Sequence, residues 1–391
     1  MKPATELVRH RRLPGEPYGA VSTPLYQTAT FVQPGACEAG PYDYSRSGNP
    51  TRAALEEQLA RLEGATRALA YGSGLAALAA VVRLAAPDGE VLAGDDLYGG
   101  TDRLLSRVLP ELGLSTRYVN ATRPQAVRDT IGPRTRLLLI ETPTNPLLRV
   151  VDLAALAEIC HERNVLLAVD GSLMTPWLQR PLALGADVVV HSATKGLGGH
   201  SDLTAGVVAV HGSEVAERLA FRQNAEGTAL APFDAWLLLR GLKTLGVRVE
   251  RQEATARRIA AFLVAHPAVT RLHYPGLADH PGRALQLRQA GGFGPVMSFE
   301  TGSVARSAAL VDALELFPVA VSFGGVGSTA SLPCRMSHAA IPAEVRRERR
   351  LPEDLVRLSI GLEDPDDLIE DLDRALRAVG GPISAAVGVG G

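Results

Sequence analysis

The chain has 391 residues, 46% of them hydrophobic and 21% charged, with a formal net charge of −2. This composition suits two or three domains with a sizeable core and argues against nucleic-acid binding, which favours a basic patch. Arg346, Arg347, Arg349 and Arg350 form the only dense cluster, and Glu344 and Glu348 interrupt it; it reads as a solvated surface.

Cys37, Cys160 and Cys334 are isolated, odd in number and without metal-ligand spacing, so a reducing, cytoplasmic compartment and no metal are expected. Met1 to Gly19 is polar and carries no apolar signal core. Ala68 to Val82 is the most apolar stretch, broken by Gly72 and Gly74 and closed by Arg83. A membrane span needs about 20 apolar residues, so this stretch reads as a loop followed by a buried helix.

Residues 1–50, rich in Pro, Gly, Tyr and Thr, read as an extended arm. Ala53–Leu62 has Leu55, Leu59 and Leu62 on one helical face. Glu90–Ala93, Leu137–Ile140, Val165–Val169 and Asp187–Val190 read as buried strands, separated by helices such as Leu153–Arg163. The alternation predicts an α/β fold with a mainly parallel sheet covered on both faces. Asp95, Asp96, Glu141, Asp170, His191 and Ser192 follow these strands and are expected to converge on one crevice. A second unit is expected from Leu237, with a long helix through residue 265 and strands Val296–Glu300 and Leu355–Ile360. The division is then 1–50, 51–236 and 237–391, with a low-complexity tail from Gly380 that is expected to fray.

Three elements carry chemistry. Ser192-Ala193-Thr194-Lys195 follows a buried run; an ammonium there is costly to desolvate, whereas a lysine tied up as a Schiff base is not. Asp170 ends Val165–Val169, where a carboxylate can keep a pyridine nitrogen protonated. Tyr71-Gly72-Ser73-Gly74-Leu75 precedes an Ala-rich run, and its small residues admit a phosphate to a helix N-terminus, with Ser192 and Thr194 adding hydroxyls. Each has a bland alternative: a surface lysine, a capping or salt-bridged aspartate, an ordinary turn. Their order and spacing together are much more specific.

With these in place, the chain resembles the Cys/Met-metabolism family of fold-type I pyridoxal-phosphate enzymes over nearly all of its length. Further matches are Tyr44-Ser45-Arg46, Asp95 to Thr101, Glu141-Thr142-Pro143-Thr144-Asn145-Pro146 and Leu355 to Glu363. The resemblance implies an aspartate-aminotransferase-like α/β fold with a smaller C-terminal α/β domain. It also implies pyridoxal 5'-phosphate bound through Lys195, with Asp170, Gly74, Leu75, Ser192 and Thr194 around it and Tyr98 stacked on its ring. Tyr44 and Arg46 would reach into a neighbouring subunit's phosphate site, which implies a dimer at least and a tetramer by analogy. Arg357 would bind the substrate α-carboxylate with Ser322 nearby, and Arg103 the distal carboxylate, although a surface reading of Arg103 is about as good.

Ser172 to Pro176, Leu230 to Asp234 and Pro333 to Arg346 resemble the cystathionine β-lyase branch more than the γ-lyases and γ-synthases, which remain the alternative. Val321 stands where those branches commonly carry Glu, and Gly100 where methionine γ-lyases carry Cys. The implied activity is β-elimination of cystathionine in trans-sulfuration and methionine biosynthesis, with Lys195 as base and Tyr98 assisting. Gly171, Gly196 and Gly327 depart from the family pattern. A cofactor-binding regulatory protein would need an appendage such as a helix-turn-helix, which the sequence does not offer. His191, Tyr71 and Trp177 read as packing or supporting residues, and His200 as a loop residue.

Overall fold

Short runs of Val, Leu, Ile and Ala, bounded by Gly, Asp and Pro, become strands because they end before a helix of useful length can form. The computed structural model describes residues 1–9, 13 and 15–379; the expected tail from Gly380 lies outside the described residues. Seven strands form the larger sheet: β1 (Arg67–Tyr71), β2 (Glu90–Gly94), β3 (Ser115–Val119), β4 (Thr135–Glu141), β5 (Leu166–Asp170), β6 (Val188–Ser192) and β7 (Gly206–Val210). Their order is β1-β7-β6-β5-β4-β2-β3, and only β7 runs against the rest. The mainly parallel sheet is therefore as expected, whereas β1, β3 and β7 were not singled out from the sequence. The stretch at 68–82 is corrected: its first part is β1, and a two-residue turn leads directly into the helix Gly74–Val82.

Helices cover both faces. Gly74–Val82 and Ser213–Ala225 pack on one face, with Val188 and Val190. Pro50–Glu63 and Pro232–Leu242 pack on the other, with Val189 and Ala193. Leu55, Leu59 and Leu62 of Pro50–Glu63 are buried as their spacing required, each contributing about 1.5–3 kcal/mol of transfer free energy. Asn49 caps that helix by accepting from Thr51 N at 3.0 Å, and Gly64 ends it with φ 71°.

The second sheet has four strands, β8 (Arg271–His273), β9 (Val296–Glu300), β10 (Thr329–Ser331) and β11 (Val356–Ser359), in the order β10-β11-β9-β8. The single long helix expected through residue 265 is two helices, Pro232–Leu242 and Leu245–Ala265, interrupted at Lys243 and Thr244. Residues 1–50 are not wholly extended. Pro3–Val8 is a short helix seated on Pro50–Glu63, where Gln58 Nε2 donates to the carbonyls of Glu6 and Leu7 at 3.1 and 3.0 Å. The arginine cluster is only partly a solvated surface: Arg349 pairs with the buried Asp102 at 2.8 Å and stacks 4.3 Å from the Tyr118 ring centroid, and Arg346 donates to Glu353 at 2.9 Å. That pairing ties the segment before β11 to the larger sheet.

Candidate active site

The parallel strands open their carboxyl ends on one edge of the larger sheet, and a cavity of about 410 Å³ lies there. β4 and β5 are in register so that Glu141 and Asp170 stand side by side, and β6 ends beside them at Ser192. Alternation along β6 sends Ser192 toward the helix Gly74–Val82 and His191 to the opposite face. The expected convergence is therefore corrected at three positions. Glu141, Asp170 and Ser192 line the cavity, whereas His191 is buried behind the sheet against Glu63, and Asp95 and Asp96 sit in a separate small pocket beside Thr144 and Arg149.

Lys195 follows the end of β6 in a turn that hydrogen bonds to Ser192 O and Gly199 N. Its Nζ donates to Ser322 Oγ at 2.6 Å. Burial, together with the nearby Arg357 charge, lowers its pKa to about 8, against the opposing pull of Asp170. Asp170 accepts from Ser172 N at 2.9 Å, and Ser172 Oγ in turn accepts from Ser192 N at 2.6 Å. Burial pushes the Asp170 carboxyl up, while Ser172, His191 and Lys195 pull it down. Burial, and then the neighbouring Asp170, raises the Glu141 carboxyl well above its ordinary value. Its Oε1 accepts from Tyr98 N at 2.8 Å, fixing the start of the helix Gly99–Arg103.

An anion cup lies at another corner. Ser73 caps the helix Gly74–Val82 by accepting from Ala76 N at 3.1 Å, so the Gly74 and Leu75 amides have no partner inside the helix. Gly74 and Gly206 allow the close approach: a Cβ at Gly74 would stand 2.8 Å from Ser192 Cβ, and one at Gly206 would overlap the Ser73 carbonyl. Gly74, Leu75, Ser192 and Thr194 all line the cavity. The Thr194 hydroxyl is already engaged with the Ala205 backbone, accepting from its N at 3.0 Å.

On the opposite wall, Arg357 is buried on β11; it donates to Asn145 Oδ1 at 2.9 Å and to Ser322 O at 2.7 Å, and its Nε has no partner. Burial lowers its pKa to about 10, still cationic at neutral pH. Asn145 is held in turn, its carbonyl 3.2 Å from the imidazole Nε2 of His338. Phe323 lies beneath both cations, with its ring centroid 5.5 Å from Lys195 Nζ and 5.6 Å from the Arg357 guanidinium. Arg103 lines the mouth with no ion-pair partner among the described residues. Tyr44 and Arg46 do not line this chain's cavity; the Arg46 guanidinium lies 5.3 Å from the Tyr44 ring and donates to Asn224 Oδ1 at 3.3 Å.

The sequence reading gave no role to Ser172, Asn145, His338 or Phe323. Only the fold brings Ser172, Asn145 and Phe323 to the cavity wall, with His338 behind Asn145. His200 bonds the Gly198 carbonyl at 2.8 Å, as a loop residue would. Gly171 has a local cause: a Cβ there would stand 2.8 Å from His191 Cε1. A Cβ at Gly100 would press on the Tyr98 ring, 2.9 Å from Cζ.

An amine of lowered pKa, a carboxylate and a cup of free amides around one cavity fit a phosphorylated pyridine aldehyde: Lys195 for the aldehyde, Asp170 for the ring nitrogen, Gly74 and Leu75 for the phosphate. The chain is 55% identical over 362 residues to the chloroplastic cystathionine β-lyase of Arabidopsis thaliana, covering 93% of this chain and 78% of that one. It is 54% identical over 368 residues to the chloroplastic cystathionine β-lyase of Mimosa pudica, covering 94% and 80%. The crystal structure of cystathionine γ-lyase from Lactobacillus plantarum, complexed with L-serine, superimposes with a TM-score of 0.95 at 38% identity, covering 97% of this chain and all of that one. The model of the Cys/Met metabolism PLP-dependent enzymes matches residues 4–377, and with a site that fits the cofactor, the chain belongs to that family.

Proposed function

We propose that the protein catalyses β-elimination of L-cystathionine to homocysteine, pyruvate and ammonia. One observation carries this reading: the Lys195 amine and the Arg357 guanidinium face one cavity and are bridged by Ser322. A base and a carboxylate anchor so placed can act on neighbouring atoms of one amino acid.

The bound cofactor supplies an electron sink for the carbanion formed at the substrate Cα. Arg357 binds the α-carboxylate through two parallel charge-assisted bonds, one of them from its unpartnered Nε. Tyr98 would accept a proton from the incoming ammonium only as its phenolate. Lys195 would hold the cofactor's aldehyde and, as the free amine, would take the Cα proton on Nζ; its lowered pKa keeps a useful fraction neutral near physiological pH. Asp170 would keep the proton on the cofactor's ring nitrogen; the Cβ–S bond breaks, the thiolate takes up a proton to give homocysteine, and water hydrolyses the aminoacrylate that remains to pyruvate and ammonia. Arg103 at the mouth meets the distal carboxylate.

Two residues favour β- over γ-elimination. Val321 lines the cavity without a carboxylate, and Gly100 leaves room for the Tyr98 ring. Incubation of purified protein with L-cystathionine distinguishes the reactions: pyruvate with homocysteine supports the proposal, and 2-oxobutyrate with cysteine overturns it.

Tyr44 and Arg46, exposed and outside their own chain's cavity, support an assembly in which residues 1–50 serve a partner, a dimer or a tetramer of two dimers. The reading keeps 51–236 as the cofactor-binding domain and 237–391 as the C-terminal domain. Among the described residues no helix is long and apolar enough to cross a membrane. The three unpaired cysteines support a reducing, cytoplasmic compartment.

A further inference from the structure

Behind the sheet lies a buried ionic pair that the mechanism above does not use. His191 Nε2 and Glu63 Oε1 are 2.6 Å apart, and each side chain is 1% exposed. Glu63 is the last residue of Pro50–Glu63, and His191 faces it from β6, on the side of the sheet opposite Ser192. Glu63 fixes an N–H at Nε2, and the buried Nδ1 has no hydrogen-bond partner. The buried Glu63 carboxylate at 2.6 Å favours the imidazolium over the neutral ring. Burial alone would depress its pKa, but Glu63 and then Asp170 raise it above the ordinary histidine value.

The ring packs against Gly171, the residue after Asp170: a Cβ at Gly171 would stand 2.8 Å from His191 Cε1. β5 and β6 pair Asp170 with Val190, the neighbour of His191, and Gly171 carries no side chain to come between. The charged groups that face this region are Glu63 from its helix, Glu141 beside Asp170 on β4, and Lys195 after β6. Lys195 is an unsteady counter-charge for Asp170, because the chemistry proposed for it takes it through covalent attachment, release and protonation. His191 is touched by no reacting atom, so its charge stays constant.

We propose that His191, clamped by Glu63, is a positioning residue that keeps Asp170 ionised, and hence the ring nitrogen protonated, throughout turnover. This rests on the reading of Asp170 as the ring-nitrogen partner. The test is the ¹⁵N chemical shift of holoenzyme reconstituted with cofactor labelled at the ring nitrogen, in wild type, His191→Gln, Glu63→Gln and Asp170→Asn. The expected result is a shift toward the neutral-pyridine value in His191→Gln, with kcat lowered by about tenfold, one pKa unit's worth, and KM unchanged. Glu63→Gln moves the same way to a smaller extent and carries the test should His191→Gln fail to fold. If Asp170→Asn moves the resonance while neither other variant does, the proposal is overturned and the Asp170 reading stands. If Asp170→Asn leaves it unmoved, both fall.

Discussion

Lys195 Nζ donates to the Ser322 hydroxyl across 2.6 Å, and Ser322 does so from a backbone with φ of +86°. A non-glycine residue in that region is held there by its surroundings, here by the bond from Arg357 to its carbonyl and the turn into Gly324, whose N donates to Ser359. The two cations of the cavity are thus coupled through one residue, and neither has a carboxylate in hydrogen-bond contact.

The first consequence is kinetic. The Lys195 pKa is lowered to about 8 by burial, then by Arg357. Neutral amine, the nucleophile, is the form favoured by that shift, so it accumulates as pH rises through about 8 rather than near the ordinary lysine value. Stopped-flow absorbance of the cofactor-free protein mixed with pyridoxal phosphate should give an attachment rate that climbs with a midpoint near that pH. A midpoint at the ordinary lysine value would count against the assignment. Lys195→Ala should show no lysine-bound absorbance and no turnover.

The second concerns Arg357. Its geometry, one bond to Asn145, one to Ser322 and an unpartnered Nε, suits a planar fork and not a point charge. Arg357→Lys keeps the charge but loses a charged hydrogen bond of about 1.5–3 kcal/mol. KM for cystathionine should rise by about ten- to a hundredfold, with kcat changed less. Steady-state kinetics check this, and an unaltered KM would remove Arg357 from substrate binding.

The third concerns the anion cup. A Cβ at Gly206 would overlap the backbone carbonyl of Ser73, which no rotamer can relieve. Gly206→Ala should therefore push the start of the helix Gly74–Val82 off β7, at a cost of about 1–3 kcal/mol. The variant should lose cofactor on dialysis faster than wild type and melt at lower temperature. Full cofactor retention would mean that the cup does not hold the phosphate.

Much of this site was legible because its chemistry sits at strand ends, where hydrophobic runs stop abruptly at a polar residue: Asp170, Ser192 and then Lys195. The parity of a strand was less visible. His191 and Ser192 are adjacent in sequence, yet one faces a helix behind the sheet and the other the cavity. Asp96 likewise turned away, donated to by the Thr144 hydroxyl. β3 (Ser115–Val119) carries Ser, Thr and Arg in place of an unbroken apolar run, whereas β1 and β7 are short apolar runs that no local pattern separates from the neighbouring turns and helices. Long-range supports such as the Arg349–Asp102 pair span too much sequence for any local pattern to announce.

The last expectation uses the arm. Arg46 lies outside its own chain's cavity and, if it serves the partner, each site of a two-fold dimer draws Lys195 from one chain and Arg46 from the other. Arg46→Ala and Lys195→Ala proteins should then each be weak or inactive alone. In a mixed dimer, the chain bearing Arg46→Ala still contributes an intact Lys195, and its partner contributes an intact Arg46, so one site of the two is wild type. Equimolar mixing after dissociation and reassembly should restore activity to about a quarter of wild type, because half of the dimers are mixed and each has one good site. The assay is pyruvate release before and after mixing. Activity that stays at the mean of the two separate variants would show that Arg46 acts within its own chain, and the shared site would be lost with it.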